Sequence, residues 1–225
     1  MASEYESAEN WLRRIPMKTP ETPTDVRNLY NRMMAGPSRL LFGRLGLQGG
    51  GWPLLNLQRL LGDATSLLEV GCGQGLLLEK ALRQLNLRRA VGVDLSEVML
   101  EIAWKRRRRR GETEAIQVAQ AEATTLPFQD ASFDGLLSMS MIEHLDEQAL
   151  MKFMGEARRV LRPGGRLFVW SFSPRNPIVL MRQTMIGRSS DQLRRLTAQA
   201  GFREVMSPRV GLPFPFKSTV LAYRE

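Results

Sequence analysis

The sequence predicts an α/β fold: a seven-stranded, mainly parallel sheet with an antiparallel last strand and helices on both faces. Three observations predict it. Short apolar runs alternate with amphipathic stretches of helical length between residues 67 and 200, the pattern of strands joined by crossover helices. The chain has 225 residues, 43% hydrophobic and 24% charged, enough for one full-sized core and ordinary for a globular protein. The first apolar run ends in LLEVGCGQG, residues 67–75, with Gly71, Gly73 and Gly75 on alternate positions, a backbone permissive enough to let a ligand come close.

Each element follows from local signals. Residues 1–23 are polar and spaced by Pro16, Pro20 and Pro23, so loose order is expected. From Thr24, TDVRNLYNRMMAGPSRLLFGRL reads as one or two short helices broken at Gly36-Pro37, and Gly49-Gly50-Gly51 reads as a joint. Residues 1–56 are therefore expected to form an N-terminal extension capping the site, and residues 57–225 the main domain. Within it, 67–70 reads as a buried strand, 74–85 as a helix and 90–93 as the second strand. Ser96 caps a helix that runs to Arg110. Strands follow at 116–119 and 133–138, then a helix at 146–161 and a strand at 165–172. A helix at 190–200 precedes the last strands, 202–206 and 219–223, which lack a helix between them and read as an antiparallel hairpin with a long loop. In such sheets the ligand lies beyond the carboxyl ends of the strands, which gathers the loops after Val70, Val93, Ala119, Ser138 and Phe172 around one crevice.

Composition narrows the function. MASEYESAEN is polar and acidic and does not read as a secretory signal, and no apolar run approaches the roughly 20 residues of a bilayer span. One cysteine, Cys72, and one histidine, His144, leave no disulfide framework and no cysteine- or histidine-rich metal site. A reducing, cytoplasmic setting is expected. Net charge is +9, which invites an anionic partner. Lys105 to Arg110 concentrates part of it. The run reads either as a solvated helix end before Gly111 or as a contact for an anionic surface through Arg106 to Arg110. It has no interleaved aromatics for base stacking.

The glycine loop departs from both phosphate-binding patterns. A dinucleotide fingerprint needs a third glycine or alanine where Leu76 stands, and no Gly-Lys-Ser/Thr follows. An acid, Glu69, precedes the loop instead. Asp94 ends the second strand in VGVDLSEVM, 23 residues after Gly71. There it can accept two ribose hydroxyls, or stabilise the next helix as an acid at its start.

These pieces resemble a known family. Glu69-Val70-Gly71-Cys72-Gly73-Gln74-Gly75, Asp94, Glu122-Ala123 with Leu126-Pro127-Phe128 and Ser132-Phe133-Asp134, and Leu161-Arg162-Pro163-Gly164-Gly165 resemble the motifs of class I S-adenosylmethionine-dependent methyltransferases. Their order is closest to the type 11 group, similar to ubiquinone/menaquinone-biosynthesis methyltransferases. The resemblance spans roughly residues 60–205 and implies a Rossmann-like fold, S-adenosyl-L-methionine as cofactor and S-adenosyl-L-homocysteine as product. It implies that the backbone of Gly71, Cys72, Gly73 and Gly75 packs on the amino-acid part of the cofactor, with Glu69 near its ammonium. Asp94 would hold the ribose, with Leu95 and Met99 against the adenine. Glu122, where the family usually has Asp, and Ala123 would meet the adenine amino group and ring. Ser138 would sit beside the methionine part through its backbone, and Tyr30 resembles a tyrosine that closes over the cofactor.

Methyl transfer from a sulfonium needs alignment and water exclusion, no metal, and a base for some acceptors. His144, in SMSMIEHL past the fourth strand, reads as that base or as an acceptor-orienting group; it reads equally as a helix cap. Ser138-Met139-Ser140-Met141 lacks the Asn/Asp-Pro-Pro-aromatic loop that goes with base amino-group methylation. Cys72 sits in the cofactor loop and not where a pyrimidine nucleophile would stand. The acceptor pocket is expected from residues 24–56, 173–189 and 208–217, which carry Met33, Met34, Leu40, Leu41, Phe42, Trp52, Ile178, Met181, Met185, Phe214 and Phe216. Apolar residues of this kind suit a small, largely apolar acceptor. RNA methylation on the basic surface and a non-catalytic cofactor-binding partner role are the alternatives.

Overall fold

The computed structural model describes residues 22–35, 56–110, 115–181, 185–208 and 217–225. Its strands are β1 (Ser66–Val70), β2 (Arg89–Asp94), β3 (Ile116–Gln120), β4 (Phe133–Met139), β5 (Leu161–Phe172), β6 (Arg203–Met206) and β7 (Lys217–Tyr223). They form one sheet in the order β3-β2-β1-β4-β5-β7-β6. Pairing is parallel from β3 through β5, and β7 inserts antiparallel between β5 and β6. The strand order reverses between β1 and β4. The crevice beyond their carboxyl ends is where such a sheet binds its ligand.

The helices are α1 (Pro23–Ala35), α2 (Leu57–Leu61), α3 (Leu76–Gln84), α4 (Glu97–Arg110), α5 (Glu147–Val160), α6 (Pro177–Met181) and α7 (Ser190–Gln199). Side chains set their starts. Thr22 and Asp25 bond reciprocally at the head of α1, each side chain accepting the other's backbone N–H at 3.2 and 3.0 Å. Ser96 Oγ accepts the Met99 N–H at 3.2 Å at the start of α4. Asp146 accepts the Ala149 N–H at 2.7 Å before α5, and Ser189 with Gln192 closes a capping box on α7. Each such cap stabilises its helix by about 1 kcal/mol.

Both sheet faces are covered. Leu68, Val70, Val91, Val93, Leu136 and Val169 pack with Leu150, Phe153, Met154 and Ala157 of α5 and Leu193 of α7. On the other face, Leu67, Leu137, Phe168 and Trp170 pack with Leu57, Leu60 and Leu61 of α2 and Leu77, Leu78 and Ala81 of α3. That is why β1 is buried at every position and reads as a continuous apolar run. Each fully buried phenylalanine, such as Phe133 or Phe153, contributes about 1.5–3 kcal/mol.

Three expectations change. β5 begins at Leu161, so Pro163-Gly164-Gly165 lies inside the strand; the Gly164 N–H donates to the Arg224 carbonyl and the Arg224 N–H to Gly165. The expected helix at 74 starts at Leu76, because Gly75 takes a left-handed conformation at its head. The run Arg106 to Arg110 is not a solvated row. Arg107 is buried and donates to the Ile116 carbonyl, and Arg106 bridges the buried Glu79 at 3.2 Å. Arg108 stacks on Trp104, 5.3 Å from its centroid; Arg108 and Arg109 are exposed. Glu79 one turn into α3 draws Arg106 inward, and a helix cannot aim consecutive residues at one face.

Candidate active site

The turn after β1 is held against β2. The Gly71 and Cys72 N–H groups both donate to the Val93 carbonyl, at 2.8 and 3.0 Å. Gly71 has φ +78°, and a Cβ there would lie 2.7 Å from Cβ of Met141, so glycine is required both for the turn and for the close approach. Cys72 is buried with its Sγ over Gly92, where a Cβ would lie 2.7 Å away. Burial pushes its thiol up, and Asp94 and Glu69 add to this. It is a packing residue and not a nucleophile.

Asp94 ties the loop together. Its Oδ2 accepts the Gly73 N–H at 2.8 Å, and its Oδ1 accepts the Ser96 N–H at 2.9 Å. Burial raises its carboxyl; these two bonds and the nearby His144 partly offset that. Glu69 on β1 is 3% exposed, and its Oε2 has no hydrogen-bond partner among the described residues. Burial first, then the Asp94 charge, pushes its carboxyl well above the usual carboxylate range, against a backbone bond from Leu78. Two carboxylates thus converge on the glycine loop with a buried oxygen to spare, an arrangement that asks for a cation.

The far wall is the end of β4. Ser138 is fully buried, and its Oγ also has no partner among the described residues. Ser140 has φ +51°, uncommon for a residue with a Cβ and a frequent mark of sites. It redirects the chain so that Met141 covers Gly71 and the short 3-10 turn Ile142–His144 follows. His144 is 7% exposed. Its Nε2 lies 3.1 Å from the Tyr30 hydroxyl of α1, with the rings edge to face at 5.6 Å. α1 is anchored beside it, where Ser96 Oγ donates to Asn31 Oδ1 at 2.6 Å.

Glu69, Gly71, Cys72, Gly73, Gly75, Asp94 and Ser138 lie at or just past the carboxyl ends of β1, β2 and β4, His144 follows on the turn after β4, and Tyr30 bonds to it. Met99 is buried on α4, and the half-buried Leu95 offers its carbonyl to Gln120. The loop of Glu122 and Ala123 joins the end of β2 through the Ala121 N–H and the Asp94 carbonyl, 3.2 Å apart. Ala123 packs on the core, whereas Glu122 is exposed with its carboxylate toward Thr124 at 3.5 Å. Of the expected acceptor pocket, Leu40, Leu41, Phe42, Trp52, Phe214 and Phe216 lie outside the described residues, as do the side chains of Met33, Met34, Ile178 and Met181; Met185 is buried.

Two residues at the site escape sequence reading. Glu143 is fully buried; its Oε1 accepts the Phe172 N–H at 3.3 Å and its Oε2 has no partner among the described residues. Burial raises its carboxyl, against the neighbouring His144. Arg188 is buried and donates to carbonyls of the His144 turn. Glu143 adjoins His144 in SMSMIEHL with no role assigned to it, and Arg188 stands in no motif.

The chain is similar to known proteins. Residues 68–169 match a family model described as a methyltransferase domain. The chain is 29% identical over 235 residues to the O-methyltransferase cnsE of Penicillium expansum, covering 91% of this chain and 80% of that one. It is 36% identical over 117 residues to the ubiquinone/menaquinone biosynthesis C-methyltransferase UbiE of Hahella chejuensis, covering 51% of this chain and 46% of the relative. Among solved structures, the cyclase SpnF superposes with a TM-score of 0.67 at 25% identity, over 83% of this chain and 75% of that one.

Proposed function

Because the chain is a class I S-adenosylmethionine-dependent methyltransferase of the type 11 group, we propose that it moves a methyl group to an oxygen, nitrogen or carbon of a small, largely apolar acceptor, aromatic or lipid-like. The observation that carries the reading is the unpartnered, buried oxygen of Glu69 beside the Asp94-bound glycine loop. A buried carboxylate oxygen left open fits the ammonium of an amino acid, and a glycine loop fits close backbone contact. The residues fit the cofactor. When bound, S-adenosyl-L-methionine supplies an electrophilic methyl on its sulfonium and leaves as S-adenosyl-L-homocysteine.

The chain's own residues do the rest. Glu69 holds the ammonium end, and Gly71, Cys72, Gly73 and Gly75 give the backbone room. Asp94 holds the ribose hydroxyls, while Leu95 and Met99 flank the adenine. Glu122, exposed on its loop, is the group for the adenine amino group, with Ala123 against the ring. Ser138 sits beside the methionine part through its backbone. α1, as part of an N-terminal cap, closes the crevice through Tyr30 and keeps water out. His144 is the base or acceptor-orienting group, and the Tyr30 hydroxyl, bonded to its Nε2, holds the imidazole in place before the acceptor arrives.

The relatives' names speak of O- and C-methylation, one in ubiquinone and menaquinone biosynthesis, and they support a small acceptor. On the same reading, Arg108 and Arg109, exposed beside Trp104, give the protein a weak electrostatic contact with an anionic surface. The test is incubation with methyl-labelled cofactor and a fractionated native extract. Label in the solvent-extractable small molecules is expected. Label in RNA would overturn the acceptor class, and tight cofactor binding with label in no fraction would favour a non-catalytic partner role.

A further inference from the structure

The turn that carries His144 is short and holds itself weakly. Its own bonds are two, from the His144 N–H to Met141 and the Leu145 N–H to Ile142, at 3.1 and 3.2 Å. A single 3-10 turn has poor hydrogen-bond geometry and little independent stability. Its position must come from elsewhere.

It comes from residues 186–188. The Arg188 guanidinium, 5% exposed, donates from Nη1 to the Ile142 carbonyl at 2.9 Å and from Nη2 to the Leu145 carbonyl at 2.6 Å. Between those two carbonyls, the Glu143 carbonyl accepts the Ile186 N–H at 2.7 Å. The Arg188 N–H in turn donates to the Phe172 carbonyl at 3.2 Å, at the end of β5. Gly187 lets this segment lie against the chain after β5, where a Cβ would meet Pro174 and the Ser173 carbonyl at 2.8 Å. Three carbonyls of one turn are thus fixed from one segment, and that segment is fixed to the sheet. Burying a guanidinium is costly. A planar fork of donors can span two carbonyls that a point charge cannot.

We propose that Arg188 is the positioning residue for His144: it sets where the imidazole stands at the rim of the crevice. The inference rests on the reading of His144 as the group that serves the acceptor, but its test separates the two. His144 is the sole histidine in the chain, so its imidazole nitrogen–proton correlation in a 15N-labelled protein needs no assignment. Arg188→Met and Arg188→Lys are compared with the wild type at one pH, free and saturated with S-adenosyl-L-homocysteine, alongside label transfer into the extract fraction that accepts methyl.

In folded Arg188→Met the imidazole correlations are expected to move or broaden while S-adenosyl-L-homocysteine binding is kept. Transfer is expected to fall about 100-fold, the scale of a misplaced catalytic group. Arg188→Lys is expected to fall less, since an ammonium reaches one carbonyl. A purely structural role would lower stability and leave the imidazole of the folded variant unmoved, so correlations superimposed on the wild type overturn the proposal. Should Arg188→Met not fold, Arg188→Lys is read by the same criterion. Wild-type transfer in His144→Ala, with a displaced imidazole in Arg188→Met, would remove the role of His144 and leave the positioning intact.

Discussion

The Tyr30 hydroxyl stands 3.1 Å from Nε2 of His144, across 114 residues of sequence. This contact joins the N-terminal helix to the one imidazole in the chain. It links the seating of α1 to the imidazole. Tyr30→Phe removes the hydroxyl and keeps the edge-to-face ring contact, so label transfer should fall about tenfold. His144→Ala should fall about 100-fold, the low end for general acid–base catalysis. Turnover measured at saturating cofactor checks both. Equal wild-type rates would separate the pair from the chemistry.

Cofactor binding should release a proton. Burial and the Asp94 charge push the Glu69 carboxyl well above the usual range, so the free protein holds that proton to higher pH than an ordinary glutamate does. An ammonium beside it favours the ionised form. Affinity for S-adenosyl-L-homocysteine should therefore rise with pH through the Glu69 titration, and calorimetry in buffers of different ionisation enthalpy should show the proton leaving. Glu69→Gln should abolish the effect. The sign for stability is the opposite: a raised carboxyl stabilises the fold below its unfolded pKa and loses that contribution as pH rises through the folded one. Ligand-free Glu69→Gln should then melt above the wild type at alkaline pH.

Gly71→Ala should damage binding and fold together. The residue has φ +78°, and its Cβ would lie 2.7 Å from that of Met141. Strain of this kind costs about 1–3 kcal/mol. Melting temperature should drop and cofactor affinity should fall. An unchanged affinity would mean that the loop is not the binding element.

Asp134 gives the sheet an acid-sensitive joint away from the crevice. Burial by itself would raise its carboxyl, but bonds from the Thr65 and Ser66 backbone and hydroxyls outweigh burial and bring it down to about 2. The folded value lies below the unfolded one, so the stabilisation is present above about pH 4 and is lost as pH falls toward 2. Asp134→Asn should cost about 2 kcal/mol at neutral pH, and its denaturation midpoint should converge on the wild type in acid. A constant difference across that range would contradict the assignment.

The motif residues could be read because their chemistry is local. The glycine loop, Asp94 and the strand-helix alternation each rest on short stretches whose conformation follows from residue type. What could not be read depends on distant partners. Arg188 is one of 32 lysines and arginines and has no sequence neighbour to mark it; only the fold brings the Ile142 and Leu145 carbonyls to it. Arg107 looked solvated inside a basic run, yet the Ile116 carbonyl takes it inward. Leu161-Arg162-Pro163-Gly164-Gly165 has turn composition, but pairing with Arg224 keeps it in β5. Ser140 takes its left-handed conformation just before Met141 packs on Gly71, and serine alone does not announce it.

On the proposed function, the open oxygen of Glu69 marks the seat of the cofactor's ammonium. A crystal structure of the complex with S-adenosyl-L-homocysteine tests this most directly. The ammonium within hydrogen-bonding distance of the Glu69 carboxylate, and the ribose hydroxyls on Asp94, are the predicted result. A ligand seated away from the loop of Gly71 to Gly75, or one whose ammonium faces another group while Glu69 Oε2 stays unpartnered, would contradict it.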